Sequence, residues 1–261
     1  TPGGLDDEAA STLGSAFMGN EKYADAEGIF RELVANQRRH PKVGPGTSAF
    51  VLLGEDLRRQ GRNDEASAYF REELERQLKA PDTDSSAIAS TLSYLAAAQG
   101  MMGHGAEADS LMQRAYELYA SVSPIQFQRV GRGTMLANRA ELAARAGDDT
   151  KATPLADSAR AMWKGTLPPG DARWAALARV DALILRDHHQ PAAAVARLTA
   201  MLDTLRNKAH PNLYTYRRTE MALADVYDRW GQPDSAAAHR AFARPGAPLR
   251  LASASMMAVK P

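Results

Sequence analysis

The sequence has no cysteine among its 261 residues. That excludes a disulfide framework, a thiol nucleophile and a thiolate metal site, and it leaves the redox compartment open. Nor is there an excess of charge of either sign: 32 Lys and Arg stand against 31 Asp and Glu, a formal net charge of +1. A nucleic-acid binder needs a basic excess to displace counterions from phosphates, so that class is not expected. The short basic runs Arg38-Arg39-His40 and Arg217-Arg218 read as solvated helix ends. No apolar run approaches the roughly 20 residues that cross a bilayer. An initiating methionine is missing too: the chain opens Thr1-Pro2-Gly3-Gly4. It is therefore expected to be processed or cut from something larger, and a removed signal peptide would leave the same trace. The bacterial cytoplasm and an extracytoplasmic site both remain open.

Chemistry-bearing motifs are equally scarce. His-Glu-x-x-His, an EF-hand loop and Gly-x-Ser-x-Gly do not occur. His188-His189 is the one adjacent histidine pair, and neighbours on a helix point about 100° apart, so a turn or helix start fits better than a ligand pair. Gly100-Met101-Met102-Gly103-His104-Gly105 has no Lys-Ser/Thr after it and reads as a turn, not a phosphate loop. Met101-Met102 and Met256-Met257 read as packing residues. Carboxylates are spread along the chain, with no pair set apart as an acid and a base. The expectation is a protein without catalytic residues, metal or cofactor.

What the sequence has is repetition. A turn residue is followed, five positions on, by an alanine that opens an apolar helical run. Clear copies are Gly61 to Ala66, Gly103 to Ala108, Gly147 to Ala152 and Gly231 to Ala236; weaker ones are Glu21 to Ala26 and Asp187 to Ala192. The alanines recur at intervals of 40, 42, 44, 40 and 44 residues. Twelve positions before each stand Gly14, Gly54, Ala96, Ala140, Val180 and Ala224, mostly small, as close helix contact requires. Just before these come Leu13, Leu53, Leu95 and Leu223, with Arg139 and Arg179 breaking the pattern. Apolar residues three and four positions after the alanine, such as Ile29/Phe30 and Tyr69/Phe70, share one helical stripe. Each copy is helix, tight turn, helix, with Pro191 and Pro233 in the first turn of a second helix.

This pattern resembles the tetratricopeptide repeat, in a period longer than the usual 34 residues and similar to the roughly 42-residue variant of kinesin light chains and many bacterial proteins. His40-Pro41 and His210-Pro211 stand where that variant often carries His-Pro. The resemblance covers about residues 5–243 and implies an all-α, right-handed superhelical solenoid. The implied organisation is a tail at 1–4, repeats at about 5–43, 44–84, 85–124, 125–168, 169–211 and 212–243, and a tail at 244–261. The stretch Met221–Arg240 also looks like the closing repeat in C-terminal extensions of bacterial serine/threonine kinases, although no kinase motif is present.

In the last copy His239 and Arg240 replace the apolar pair, as expected of a polar outer face at the end of an array. Leu251, Met256 and Met257 offer apolar groups by which the tail would dock. Asp6-Asp7-Glu8 suits a helix N-terminus, and the first copy lacks an obvious cap.

A superhelix of this kind presents a concave surface lined by the first helix of each pair. Eleven positions before the repeat alanine, Glu55, Glu141, Asp181 and Asp225 form a candidate acidic row. Arg58, Arg59, Arg145 and Arg229 fall on the same side, with Tyr94, Asn138, Trp174 and Arg218 nearer the helix starts. Two readings are compatible. Glu55–Arg59, Glu141–Arg145 and Asp225–Arg229 can be ion pairs within their own helices, worth about 0.3–0.5 kcal/mol each when exposed. They can also form a mixed-charge groove for a peptide carrying basic residues. The expected function is a protein-binding scaffold; the alternatives are a subunit that stacks end to end, and the sensing or docking region of a bacterial kinase.

Overall fold

The computed structural model describes residues 6–40, 48–80, 83–121 and 125–249. Among them are twelve α-helices and no strand: α1 (Asp7–Gly19), α2 (Tyr23–Arg39), α3 (Ala49–Arg59), α4 (Asn63–Lys79), α5 (Ser85–Met101), α6 (Gly105–Leu118), α7 (Ile125–Arg145), α8 (Asp149–Trp163), α9 (Trp174–Asp187), α10 (Pro191–Arg206), α11 (Leu213–Arg229) and α12 (Pro233–Phe242). They make six helix pairs of an all-α repeat solenoid. The pairs fall into two compact units. The first runs through Ala143 and includes Thr150–Leu167; the second comprises Ala144–Asp149 and the residues from Pro168 onward.

The turn inside each pair explains the repeat phrase. The first helix ends, one residue takes a left-handed conformation, and the next N–H bonds back five residues. Gly61, Gly103, Gly147 and Gly231 supply the positive φ, which costs glycine nothing. The returning bond is Arg62 N–H to Leu57 O at 2.9 Å, and likewise His104 to Gln99 and Gln232 to Tyr227. In the first copy Glu21 takes that conformation (φ 60°) and in the fifth His189 does (φ 59°). The fifth returning bond is Gln190 N–H to Leu185 O at 2.8 Å.

This corrects the register of the fifth copy. Its turn residue is His189, not Asp187, so its alanine is Ala194. Ala194 is fully buried, as are Ala26, Ala66, Ala108, Ala152 and Ala236, whereas Ala192 is exposed. The small residue twelve positions earlier becomes Ala182 instead of Val180, and all six are then Gly or Ala. The polar interruption beside it becomes Asp181 instead of Arg179.

Packing shows why that position must be small. A Cβ on Gly14 would lie 2.5 Å from the Phe30 ring, and one on Gly54 would lie 2.5 Å from the Phe70 ring. Each phenylalanine sits four positions after its repeat alanine and is completely buried. Where the partner is the smaller Met112 or Leu198, the first helix carries Ala96 or Ala182. Trp163, also fully buried, lies over Gly133 and donates its indole N–H to the Val130 carbonyl at 3.3 Å. In the second unit Leu198, Leu202, Leu205, Tyr216, Leu223 and Val226 form the core.

The last copy departs from expectation. His239 is not an outward polar cap: it is buried, hydrogen-bonded to Glu220 Oε2 at 2.6 Å and stacked on Tyr227 with ring centroids 5.2 Å apart. Glu220, itself fully buried, stands where earlier copies place Phe50, Leu92 and Leu136, so the acid needs the imidazole as partner. Arg240 pairs with Asp228 at the surface. Arg217 is no solvated helix end either. It is buried and donates to the carbonyls of Phe242 (2.7 Å) and Ala247, the former at the C-terminal end of α12 where a cation is favoured. The segment after α12 is thereby held along α11, and Leu249 packs against the second unit's core. Leu251, Met256 and Met257 lie outside the described residues. Met101 is an exposed side chain rather than a packing residue.

Candidate partner-binding surface

The first unit gathers four of the expected site residues. Helix α3 is short, and eight of its eleven residues are buried, so a carboxylate on it must be neutralised. Glu55 is. Its two oxygens accept from Arg58 at 2.7 and 2.9 Å and from Arg59 at 2.8 Å. Burial pushes the Glu55 carboxyl up most strongly, but the charges and hydrogen bonds of Arg58 and Arg59 together outweigh it and hold the group below its usual range. On α5, Tyr94 stacks on Phe70 with ring centroids 5.6 Å apart and planes 19° from parallel. Burial pushes the ionisation of its hydroxyl to higher pH, Glu55 adds to that, and Arg58 and Arg59 oppose it, which places the phenol in the field of the α3 cluster. The Glu55–Arg59 pair expected within one helix is present. The cluster holds two guanidiniums on one buried carboxylate, next to the buried Asp56.

The remaining expected residues are not drawn into it. Glu141 on α7 is buried and Asn138 half-buried. In the second unit the corrected register puts Leu183, not Asp181, at the acidic-row position, and Asp181 accepts from Arg197 of α10 at 2.7 and 3.0 Å. Trp174 donates its indole N–H to the Pro168 carbonyl at 2.9 Å and ties down the loop before α9. Arg218 lies over the Tyr214 ring at 5.9 Å. Asp225 on α11 is half-buried and has no hydrogen-bonded or ion-paired partner among the described residues. Burial pushes its carboxyl up, while Arg145 and Arg186 pull it back. The expected Asp225–Arg229 pair is not formed; Arg229 instead helps to lower the Asp187 carboxyl. The row of exposed carboxylates is thus reduced to one half-open group, Asp225, with Glu55 and Glu141 buried and Asp181 bridged.

Sequence reading missed Asp56, which neighbours Glu55 and is completely buried. Its position is Ala98 and Val226 in two other copies, both buried. A charge at an otherwise apolar repeat position is the signal that would have found it, and the same holds for Glu220. Among the described residues no group of three or more His, Asp or Glu could hold a metal ion, and no helix is long and apolar enough to cross a membrane.

Comparison with known proteins agrees with this geometry. Residues 47–121, which span α3 to α6, match the tetratricopeptide repeat family. Among solved structures the chain is similar to BtubC (BKLC) from P. vanneervenii, with 17% identity over 92% of this chain and 90% of that one and a TM-score of 0.55. It is also similar to a tetratricopeptide repeat protein from Parabacteroides merdae (14% identity, 89% and 77% covered, TM-score 0.49). A third is the set of nearly identical TPR-like repeats named for a kinesin light chain of Podosopora anserina (18% identity, 73% and 89% covered, TM-score 0.49). At 17% identity the likeness to BtubC is one of fold. No curated protein sequence matches the chain.

Proposed function

We propose that this chain, a tetratricopeptide-repeat protein of the long-period kind, is a non-catalytic scaffold that holds a segment of another protein against the α3–α5 face of its first unit. Tetratricopeptide repeats generally mediate protein–protein interaction. The observation that carries the finer reading is the Glu55–Arg58–Arg59–Tyr94 cluster. Both guanidiniums are fixed by bonds to one buried carboxylate, so little side-chain freedom remains to be lost on binding. Arg and Tyr are the side chains that most often anchor interfaces. Guanidinium N–H groups and a phenol hydroxyl suit a segment offering carbonyl or carboxylate acceptors, and this replaces the basic peptide drawn from the uncorrected acidic row.

The test is selection of peptides from a random library on the immobilised chain, followed by titration against Arg59→Gln, which leaves Arg58 on Glu55. The reading expects binders whose affinity falls at least about tenfold, the loss of roughly one charge-assisted hydrogen bond. Binders indifferent to that variant would remove the α3–α5 face but keep the scaffold. No binders at all would remove both.

One observation favours a second reading, stacking between copies. Leu13 on α1 is 39% exposed, whereas Leu53, Leu95 and Leu223 at the same repeat position are at 0–3%. A neighbouring molecule covering α1 would complete the pattern. Light scattering of the eluting chain checks this: a mass that rises with concentration and reverts with Leu13→Lys supports stacking, and a constant monomer mass opposes it.

A further inference from the structure

The joint between the first two helix pairs contains a group that the partner reading does not use. Asp56 of α3 is fully buried, and its Oδ1 has no hydrogen-bond partner among the described residues. Its Oδ2 accepts from Gln60 Nε2 at 2.8 Å, and the same amide nitrogen donates to Glu27 Oε2 of α2 at 3.1 Å. One amide therefore bridges two carboxylates across the α2–α3 interface. They are not equivalent. Glu27 is neutralised by Arg31 at 2.6 Å and by Arg62, of the α3–α4 turn, at 2.7 Å, and Arg62 also pairs with Glu65 of α4. Among the described residues Asp56 has no cation of its own within bonding distance.

The neighbouring helices support that difference: on α4, Glu65 is taken up by Arg62 and the buried Glu73 by Arg76. Helix α5 carries no Asp, Glu, Lys or Arg. Helix α1 has only Asp7 and Glu8, in its first turn, and Asp7 is engaged by Asn36. On α3 itself Glu55 opposes ionisation of Asp56 and Arg59 favours it, but Arg59 is bonded to Glu55. A carboxylate buried without a counter-charge is costly, and the neutral acid much less so.

We propose that Asp56 makes the α2–α3 interface a proton-sensitive joint: the α1–α2 pair is held firmly while Asp56 is protonated, and opens more often as Asp56 ionises. Burial, ahead of the Gln60 hydrogen bond and the Glu27 charge, moves the Asp56 carboxyl from 3.8 to about 6. An acid that binds its proton more tightly folded than unfolded stabilises most below its unfolded value, and that contribution falls as pH climbs through the folded one. The window is thus about pH 4 to 6.5, within the physiological reach of an acidified compartment. Glu27 and Glu55 are both held below 4.5, so neither titrates in the upper part of that window.

Amide exchange of the intact chain, read by peptide and corrected for the intrinsic pH dependence, tests this. In the native protein, protection of α1 and α2 is expected to fall about tenfold between roughly pH 5 and pH 7.5, with α9 and α10 as internal reference. Asp56→Asn, with no proton to lose, should abolish the pH dependence of that protection. Equal native protection at both pH values, or an unchanged slope in Asp56→Asn, overturns the proposal. Should the variant fail to fold, the Asp56 carboxyl carbon in the native protein is titrated by NMR. A midpoint above about 5 supports the joint, and one near the ordinary aspartate value near 4 overturns it.

Discussion

At the scale of single residues, the repeat alanine and the small residue twelve positions before it define the packing, and both were legible in the sequence. What the sequence did not display was the partner. Gly14 and Gly54 are small because Phe30 and Phe70 are large, a relation visible only once the second helix lies on the first. This yields two substitutions of identical chemistry and opposite sign. Gly28, inside α2, has open space where a Cβ would stand, with nothing within 4 Å, so Gly28→Ala should raise stability by about 0.5–1 kcal/mol through helix propensity. Gly54→Ala gains the same propensity but drives a methyl into the Phe70 ring, and should lower stability by about 1–2 kcal/mol net. Adding Phe70→Leu recreates the Ala182–Leu198 pairing of the fifth copy and should recover part of the loss. Urea unfolding followed by circular dichroism reads all three. A stabilising Gly54→Ala would contradict the small–large account.

At the scale of elements, helix–turn–helix was legible wherever glycine marks the turn. It failed by two residues in the fifth copy, where His189 adopts the left-handed conformation that His, Asn and Asp tolerate better than most side chains. A usable signal was present: Gln190-Pro191 matches Gln232-Pro233, and counting from the prolines leads to Ala194. The groove expectation failed for a related reason. Carboxylates were assigned to a solvent face by offset alone, whereas most of α3 is buried and Glu55 is taken up by its own arginines. The ion pairs are accordingly unequal. Removing Arg58 strands a buried carboxylate beside Arg59 alone, and Arg58→Ala should cost about 2–4 kcal/mol. Arg71 meets Glu107 at 3.5 Å with both side chains about half exposed, so Arg71→Ala should cost no more than roughly 0.5 kcal/mol. Equal costs, measured by chemical unfolding, would show that the Glu55 clamp is not buried as described.

At the scale of the molecule, period and helix content follow from the sequence, while the unequal electrostatics of the two units do not, because they depend on which carboxylates are enclosed. In the first unit Glu27, Glu55, Glu65 and Asp109 are held low by arginine or lysine partners, against one carboxyl, Asp56, that burial pushes up. Among the described residues of the second, Asp187 alone is held low, and Asp225 is pushed up. Carboxyls with lowered folded values stabilise above their ordinary values and lose that contribution as pH falls through the lowered ones. Acidification from about pH 5 to pH 3 should therefore reduce amide protection in α3–α6 more than in α9–α11; the reverse order would contradict this charge distribution.

The α3–α5 face as the seat of partner binding is open to one direct measurement, amide exchange of the chain with and without the tightest peptide selected from the random library. The account predicts added protection in α3 and α5, around Glu55, Arg59 and Tyr94, with α2 and α10 unchanged. Protection confined to the second helices of the pairs, or to the second unit alone, would contradict it.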